Sequence, residues 1–419
     1  MKRKLELRTG VPVWQAYRAP RIPTRKLTRD VKCDVLVVGL GISGAMIIEA
    51  LSAEGLAVIG VDRRGTMLGS TSATTALVQF EIDQPLVELS RRIGRSDAEQ
   101  AWRRSRLAVT NLRGRIDELG IACDMTETQS LYLAGNALDP GKLRLEARAR
   151  SSAGLRATYL TPTVLRKKFG IDRKGAILSH DNLALDPRKL TAGFLGKALE
   201  RKARFYAPVE VKGLAAGPTG VSAETVDGPL ISAKYIVLAT GYELLDIVPS
   251  DTHSVISTYA IATKPQKSAL WPEAAFVWEA SDPYLYMRAT ADGRVICGGE
   301  DEDFVDEAKR DSLLAAKTET ISSKLKALFP QLDTTAEFAW AGCFGTTATG
   351  LPYIGELPGH PGIFAVQGYG GNGLTFSQIA SEVVVTTITG CDDTDGRLFA
   401  FGRGGIVRKL VDVAGKFIP

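Results

Sequence analysis

Asp34-Val35-Leu36-Val37-Val38-Gly39-Leu40-Gly41-Ile42-Ser43-Gly44, followed by the run from Ala45 to Gly55, decides the fold. Val35 to Val38 are apolar without alternation, which predicts a strand buried on both faces. The run breaks at Gly39-Leu40-Gly41, and a helix is expected from Ser43 onward. Gly39 permits a tight turn, Gly41 lets a phosphate approach the backbone, and Gly44 lets the helix sit close on the strand. The helix start offers free N–H groups and a positive dipole end to a pyrophosphate. A second strand, Ala57 to Val61, ends at Asp62, about twenty residues past the second glycine, where a ribose-binding carboxylate belongs. Together these features predict a dinucleotide site in a Rossmann-like α/β domain.

The remainder of the chain bounds what that domain can serve. A length of 419 residues allows two or three domains with real cores. The net charge of +5 is small for this size, and no basic stripe is interleaved with aromatics, so no nucleic-acid partner is expected. Five scattered cysteines (Cys33, Cys123, Cys297, Cys343, Cys391) and three distant histidines lack metal-ligand spacing, so no metal site is expected. The first thirty residues have no apolar core that would make a secretory signal. Glycines, Glu49 and Glu54 interrupt Val35 to Val61, which argues against a membrane span. A soluble, cytoplasmic protein is expected, with peripheral membrane contact left open.

Met1 to Asp30 reads as an irregular arm tacked on by Trp14 and Tyr17. After Asp62 and Arg63 comes a loop of small hydroxyl residues, Gly69-Ser70-Thr71-Ser72-Ala73-Thr74-Thr75-Ala76-Leu77, suited to a cofactor's phosphates and polyol chain. Helices are expected from Asp97 to Leu119, from Pro140 behind the cap Asp139, from Pro187 behind Asp186, and from Glu307 to Phe329. Strands are expected at Thr128 to Ala134, and at Val221 to Val226 with Leu230 to Ala239 in a hairpin. A second hairpin pairs Tyr284 to Thr290 with Arg294 to Gly298. Near the end, Trp340-Ala341-Gly342-Cys343 runs through Gly350-Leu351-Pro352 to a strand at Ile363 to Val366. Gly368-Tyr369-Gly370-Gly371-Asn372-Gly373-Leu374-Thr375 then opens a helix, a second anion site.

Four of these motifs resemble the flavoprotein family of D-amino-acid oxidase, glycine oxidase, monomeric sarcosine oxidase and γ-glutamylputrescine oxidase. They are Gly39 to Gly44 with Asp62, Gly69 to Leu77, Ala239-Thr240-Gly241, and Trp340 to Gly373. The resemblance implies FAD and contacts to it from Gly39, Gly41, Ile42, Ser43, Gly44, Asp62, Arg63, Ser70, Thr71, Ser72, Thr75, Ala76 and Leu77. It extends them to Val209, Thr240, Gly241, Trp340, Gly342, Cys343, Gly350, Pro352, Gly371, Asn372, Gly373, Leu374 and Thr375. It implies an FAD-binding domain of residues 31–85, 150–245 and 330–419. A smaller antiparallel-sheet (α+β) substrate domain of residues 86–149 and 246–329 completes it, with residues 1–30 as the arm. Non-covalent FAD is expected, and a covalent link at Cys343 is the alternative.

By the same resemblance the activity is oxidation of a C–N bond of an amine or amino acid by hydride transfer to flavin N5, giving an imine that hydrolyses. Oxygen or an electron carrier such as a quinone is the acceptor. A same-fold dehydrogenase and a non-catalytic flavin-binding subunit stand as alternatives. The family's carboxylate clamps are missing: Phe344, Gln79 and Thr375 stand where it carries cations, and none supplies an arginine fork. Arg288 is a candidate replacement, Tyr259 and Tyr286 are candidate pocket walls, and Glu81 either holds a cationic amine or caps a helix. No residue is singled out as catalytic, and the oligomeric state is open.

Overall fold

The computed structural model describes residues 5–217, 220–250 and 253–403. Residues 1–4 of the expected arm, 218–219, 251–252 and 404–419 of the last expected segment lie outside them. Val35–Val38 is a strand buried at every position, and it pairs in parallel with Val58–Val61 on one side and Tyr235–Leu238 on the other. The full sheet has six strands in the order Tyr353–Leu357, His360–Gln367, Tyr235–Leu238, Val35–Val38, Val58–Val61, Arg204–Tyr206. All neighbours are parallel except the first pair, which is an antiparallel edge.

Successive side chains of a strand point to opposite faces, so one apolar run feeds two cores. Val35 and Val37 pack with the helix Ile42–Ala53 and the C-terminal helix Gly373–Ile388. Leu36 and Val38 pack with Val211, Val221 and Ile231. These last belong to a four-stranded sheet of Val211–Gly217, Gly220–Thr225, Leu230–Ala233 and Val31–Lys32. The expected single strand from Leu230 to Ala239 is therefore two strands. Leu230–Ala233 alternates exposed and buried positions, whereas Ile236 to Leu238 are continuously buried. The chain changes sheets at Lys234, whose N–H donates to Asp34 O at 3.0 Å.

A ten-stranded sheet forms the second body. Its order is Arg8–Gly10, Ala336–Thr347, His253–Thr263, Val295–Glu302, Leu285–Ala289, Phe276–Glu279, Thr126–Leu133, Ala176–Ala184 and Leu77–Val78, with Ala157–Leu160 also paired to Ala176–Ala184. Neighbours are antiparallel except Phe276–Glu279 with Thr126–Leu133. The helix Glu307–Leu328 covers one face through Ile321, Leu325 and Leu328. Several strands of this sheet come from segments allotted above to the FAD-binding part, and the helix Arg95–Leu119 packs instead against the C-terminal helix. The crossing is invisible in composition, since a strand's apolar face looks alike in either body.

The caps Asp139 and Asp186 act as expected, each accepting two backbone N–H groups ahead of a first-turn proline. The arm is less irregular than expected. Arg8–Gly10 adds an edge strand, with Thr9 opposite Ala341, too short to leave an alternating pattern. Trp14 is buried and its Nε1–H donates to Thr74 O at 2.6 Å, while the Tyr17 hydroxyl donates to Asp292 Oδ1 at 2.8 Å. Replacing Trp14 by Ala deletes a fully packed ring and strands the Thr74 carbonyl. A loss of about 3 kcal/mol or more is expected, read as a lowered denaturant midpoint; an unchanged midpoint would refute the docking role.

Candidate functional site: a cleft between the two sheets

The glycine turn is dictated by sterics. Gly39 has φ +120°, and a Cβ there would lie 2.2 Å from Ala239 O; a Cβ on Gly44 would lie 1.9 Å from Gly39 O. Backbone thus meets backbone, and the start of Ile42–Ala53 is drawn onto the strand ends. The Ile42 N–H donates to Thr71 Oγ1 at 3.0 Å, so the hydroxyl loop lies across the turn. Ser43 Oγ and Ser377 Oγ are 2.7 Å apart, linking this helix start to that of Gly373–Ile388. Two positive helix ends therefore approach one cleft.

Asp62 ends its strand as expected and lines the cleft. Its Oδ2 accepts the Leu40 N–H at 2.9 Å, and its Oδ1 accepts those of Arg64 and Gly65 at 2.7 and 2.9 Å. A carboxylate has about four acceptor sites, so one is left for a ribose hydroxyl. Beyond it, Arg63 and Arg64 both pair with Glu243, and Arg63 also pairs with Glu210 at 3.3 Å. Burial alone would raise the Glu243 pKa, but the Arg64 hydrogen bond and the two guanidinium charges hold it below the usual range.

Most expected FAD contacts do line this cleft: Gly39, Gly41, Ile42, Ser43, Asp62, Arg63, Ser70, Thr71, Thr75, Leu77, Val209, Thr240, Gly241, Gly342, Cys343, and Gly371 to Leu374. Gly44 stands behind the turn. Ser72 donates to Gly69 O, Ala76 at φ +55° shapes the loop, and Trp340 Nε1–H donates to Ala73 O at 2.8 Å. These three, with Gly350 and Pro352, do not line it. Ser70 Oγ and Gln367 Oε1 are buried without a hydrogen-bond partner among the described residues, polar atoms suited to a bound polar cofactor. The unfilled turn, the hydroxyl loop and the paired helix starts fit the ADP part of FAD.

The other end of the cleft is walled by Gln79, Glu81, Asp83, Thr258, Trp278, Tyr284, Tyr286 and Phe344. Here the expectations need correction. Tyr259 faces away, fully buried against the helix Glu307–Leu328, its hydroxyl on Arg310 O at 3.3 Å; its neighbour Thr258 faces the cleft instead. Arg288 does not reach the cleft. It is buried, with Nη1–H groups on Ala76 O and Leu185 O at 2.5 and 3.0 Å, and burial pushes its pKa down to about 10. Thr375 is likewise removed, its hydroxyl on Gln79 O at 2.6 Å. Glu81 caps no helix: Ser130 Oγ–H donates to its Oε1, and burial raises its pKa against the pull of Arg150.

Asp83, Trp278 and Tyr284 were not foreseen. The Asp83 Oδ2 accepts the Gly371 N–H at 2.8 Å, and the Tyr284 hydroxyl donates to Asp301 Oδ2 at 2.8 Å. Burial keeps the phenols of Tyr284 and Tyr286 protonated well beyond neutral pH. Cys343 lines the cleft with its thiol pushed up to about 12 by burial. Among the described residues no cluster suits a metal ion, and no helix is long and apolar enough to cross a membrane.

Comparison with known proteins accords with this geometry. The family model of FAD dependent oxidoreductases, DAO, matches residues 34–386. Gamma-glutamylputrescine oxidoreductase of Escherichia coli (strain K12) is 24% identical over 386 residues, covering 88% of this chain and 86% of that one. L-proline dehydrogenase from P. horikoshii superposes with a TM-score of 0.75 at 19% identity, covering 90% of this chain and 99% of that one. Glycine oxidase from Geobacillus kaustophilus gives 0.71 at 20% identity, covering 87% and 96%. Gly44→Ala places a methyl where the Gly39 carbonyl sits, so that variant is expected to purify without most of its flavin, read from visible absorbance per chain; full flavin content would contradict the packing argument.

Proposed function

Because the chain belongs to the DAO family of FAD-dependent oxidoreductases, we propose that it oxidises a C–N bond of an amine or amino acid in the enclosed end of this cleft. The observation that carries the reading is continuity: the same cleft runs from the glycine turn and Asp62 to Tyr284, Tyr286 and Phe344. When bound, the flavin supplies a hydride acceptor at N5, and the resulting imine is released to hydrolysis.

The protein's part is to bind, orient and exclude water. Gly39, Gly41, Ile42, Thr71 and Asp62 would hold the ADP half. Gly342, Gly371 and Asn372 would flank the rest, and Asn372 is itself fixed by Nδ2–H donation to Gln79 O and Glu81 O at 3.1 and 2.8 Å. Tyr284, Tyr286, Trp278 and Phe344 would wall the substrate and exclude water from the reacting nitrogen, which gives up hydride in its neutral form. The Tyr286 phenol stays protonated and would orient the substrate as a hydrogen-bond donor, whereas the Tyr284 proton is committed to Asp301 and that hydroxyl offers only its oxygen. No side-chain base is needed if the amine arrives uncharged.

Cofactor attachment is read as non-covalent. A flavin–cysteine bond requires a reactive thiolate, and Cys343, which is buried with Sγ 3.7 Å from Leu7 O, has a thiol held well above neutrality. Acid precipitation is expected to leave all yellow colour in the supernatant; a yellow pellet would overturn this. For the reaction, anaerobic mixing with a panel of amines and amino acids is expected to bleach the flavin with at least one class. A chain that no member bleaches is a binding subunit instead. Reoxidation of the bleached enzyme by air distinguishes an oxidase from a dehydrogenase, and slow reoxidation assigns the acceptor to a carrier.

A further inference from the structure

The cations lining the cleft among the described residues are confined to one end. Arg63, Arg64 and Lys212 lie at the nucleotide end beside Asp62, Glu210, Glu243 and Asp246, and both arginines are committed to Glu243. The substrate end carries Glu81 and Asp83, and no lysine or arginine lines it among the described residues. Asp301 stands just behind, joined to the wall by the Tyr284 hydroxyl. Glu81 is 2% exposed and its Oε2 has no hydrogen-bond partner among the described residues.

Asp83 is held with little slack. A Cβ on Gly370 would lie 2.4 Å from its Oδ2, and one on Gly371 would lie 3.0 Å from its Oδ1. Those two glycines leave just the space the carboxylate fills. Among the described residues one hydrogen bond, from Gly371 N–H, is donated to it, and the side chain is otherwise open to the cleft. Trp278, Tyr284 and Tyr286 line the same end, with the two tyrosine ring centroids 5.9 Å apart. Aromatic faces and an acid with no cation beside it in the wall attract a positive group and repel a carboxylate. Among the described residues no cation that could reverse this stands in the wall, since Arg288 is spent on backbone carbonyls.

Resting on the reading of this cleft as a C–N oxidation site, we propose that its substrate is an aliphatic amine bearing a second, non-reacting ammonium, held by Asp83 against Tyr284 and Trp278, and not an α-amino acid. The second charge follows from the chemistry. The reacting nitrogen must be neutral to release hydride, and an acid beside it would favour its ammonium form and oppose the reaction. Asp83 assists only if the cation it holds is elsewhere in the molecule.

The test uses the full-length, flavin-loaded enzyme under anaerobic conditions, with 1,4-diaminobutane, butylamine and glycine as probes. The diamine is expected to bleach the flavin at least about tenfold faster than butylamine at equal low concentration, the scale of one charge-assisted contact in an enclosed site. Asp83→Asn keeps an oxygen for the Gly371 N–H and is expected to bring that ratio toward one, and Asp83→Glu is expected to restore part of it. Equal bleaching by the two amines, or a ratio that Asp83→Asn leaves intact, overturns the assignment. Glycine bleaching the flavin while both amines fail overturns it too, but leaves C–N oxidation standing. A flavin bleached by none of the three overturns the assignment, and one that the wider panel of amines and amino acids also leaves unbleached overturns C–N oxidation as well.

Discussion

Backbone-to-backbone contact at Gly39 is the constraint on which the other parts depend. With Gly44 seated on the Gly39 carbonyl and Gly39 seated on the Ala239 carbonyl, two strands and one helix meet where no side chain fits. That contact turns the first N–H groups of the helix toward the strand ends, where Thr71 and Asp62 take up amides of the turn. The Ser43–Ser377 contact then fixes the second helix start beside the first. A cofactor seat therefore exists because three backbones converge, and the ten-stranded sheet closes over it.

Local features of this arrangement were legible in the sequence because their causes are local. The apolar run Val35 to Val38, the acid at 62 and the Asp-Pro caps at 139 and 186 each specify their structure within a few residues. What was not legible depends on which face of a doubly covered sheet a residue takes. Thr258 and Tyr259 are adjacent, both strand faces are buried, and periodicity says only that they point apart. Tyr286 and Arg288 share a face, yet only the first reaches the cleft, because the second lies under residues 76 and 185. Asp83 acquires its place only when Gly371, 288 residues later, comes opposite it.

The segment carrying Gln79, Glu81 and Asp83 is fixed from several directions, which explains how a nearly strandless stretch can hold a site. Asn372 and Thr375 donate to the carbonyls of 79 and 81 from one side. From another, Asn182 accepts the Phe80 N–H at 3.1 Å, and Ser105 donates to Phe80 O at 2.8 Å. Glu146 accepts the N–H groups of Leu86 and Val87 at 2.8 and 2.9 Å, which fixes the far end. Fixing this backbone places the acids without relying on side-chain rotamers alone.

Beneath that segment lies a buried ionic group whose cost argues for a positioning role. Arg150 is fully buried, donates through Nε to Glu146 Oε1 at 2.8 Å, and sits over Trp102 and Tyr132 at 4.5 and 5.5 Å from their ring centroids. Replacing such a buried pair with apolar residues is often neutral or stabilising, so stability alone is a weak reason for it. Its geometry offers a better one. Burial raises the Glu81 pKa despite the nearby guanidinium, which offsets that cost only in part, while Glu146 ties the next turn of chain in place. The Arg150–Glu146 pair thus supports the backbone position of this end of the cleft. Among the described residues no lysine or arginine lines that end of the cleft, because the cation that fixes it stands behind the wall.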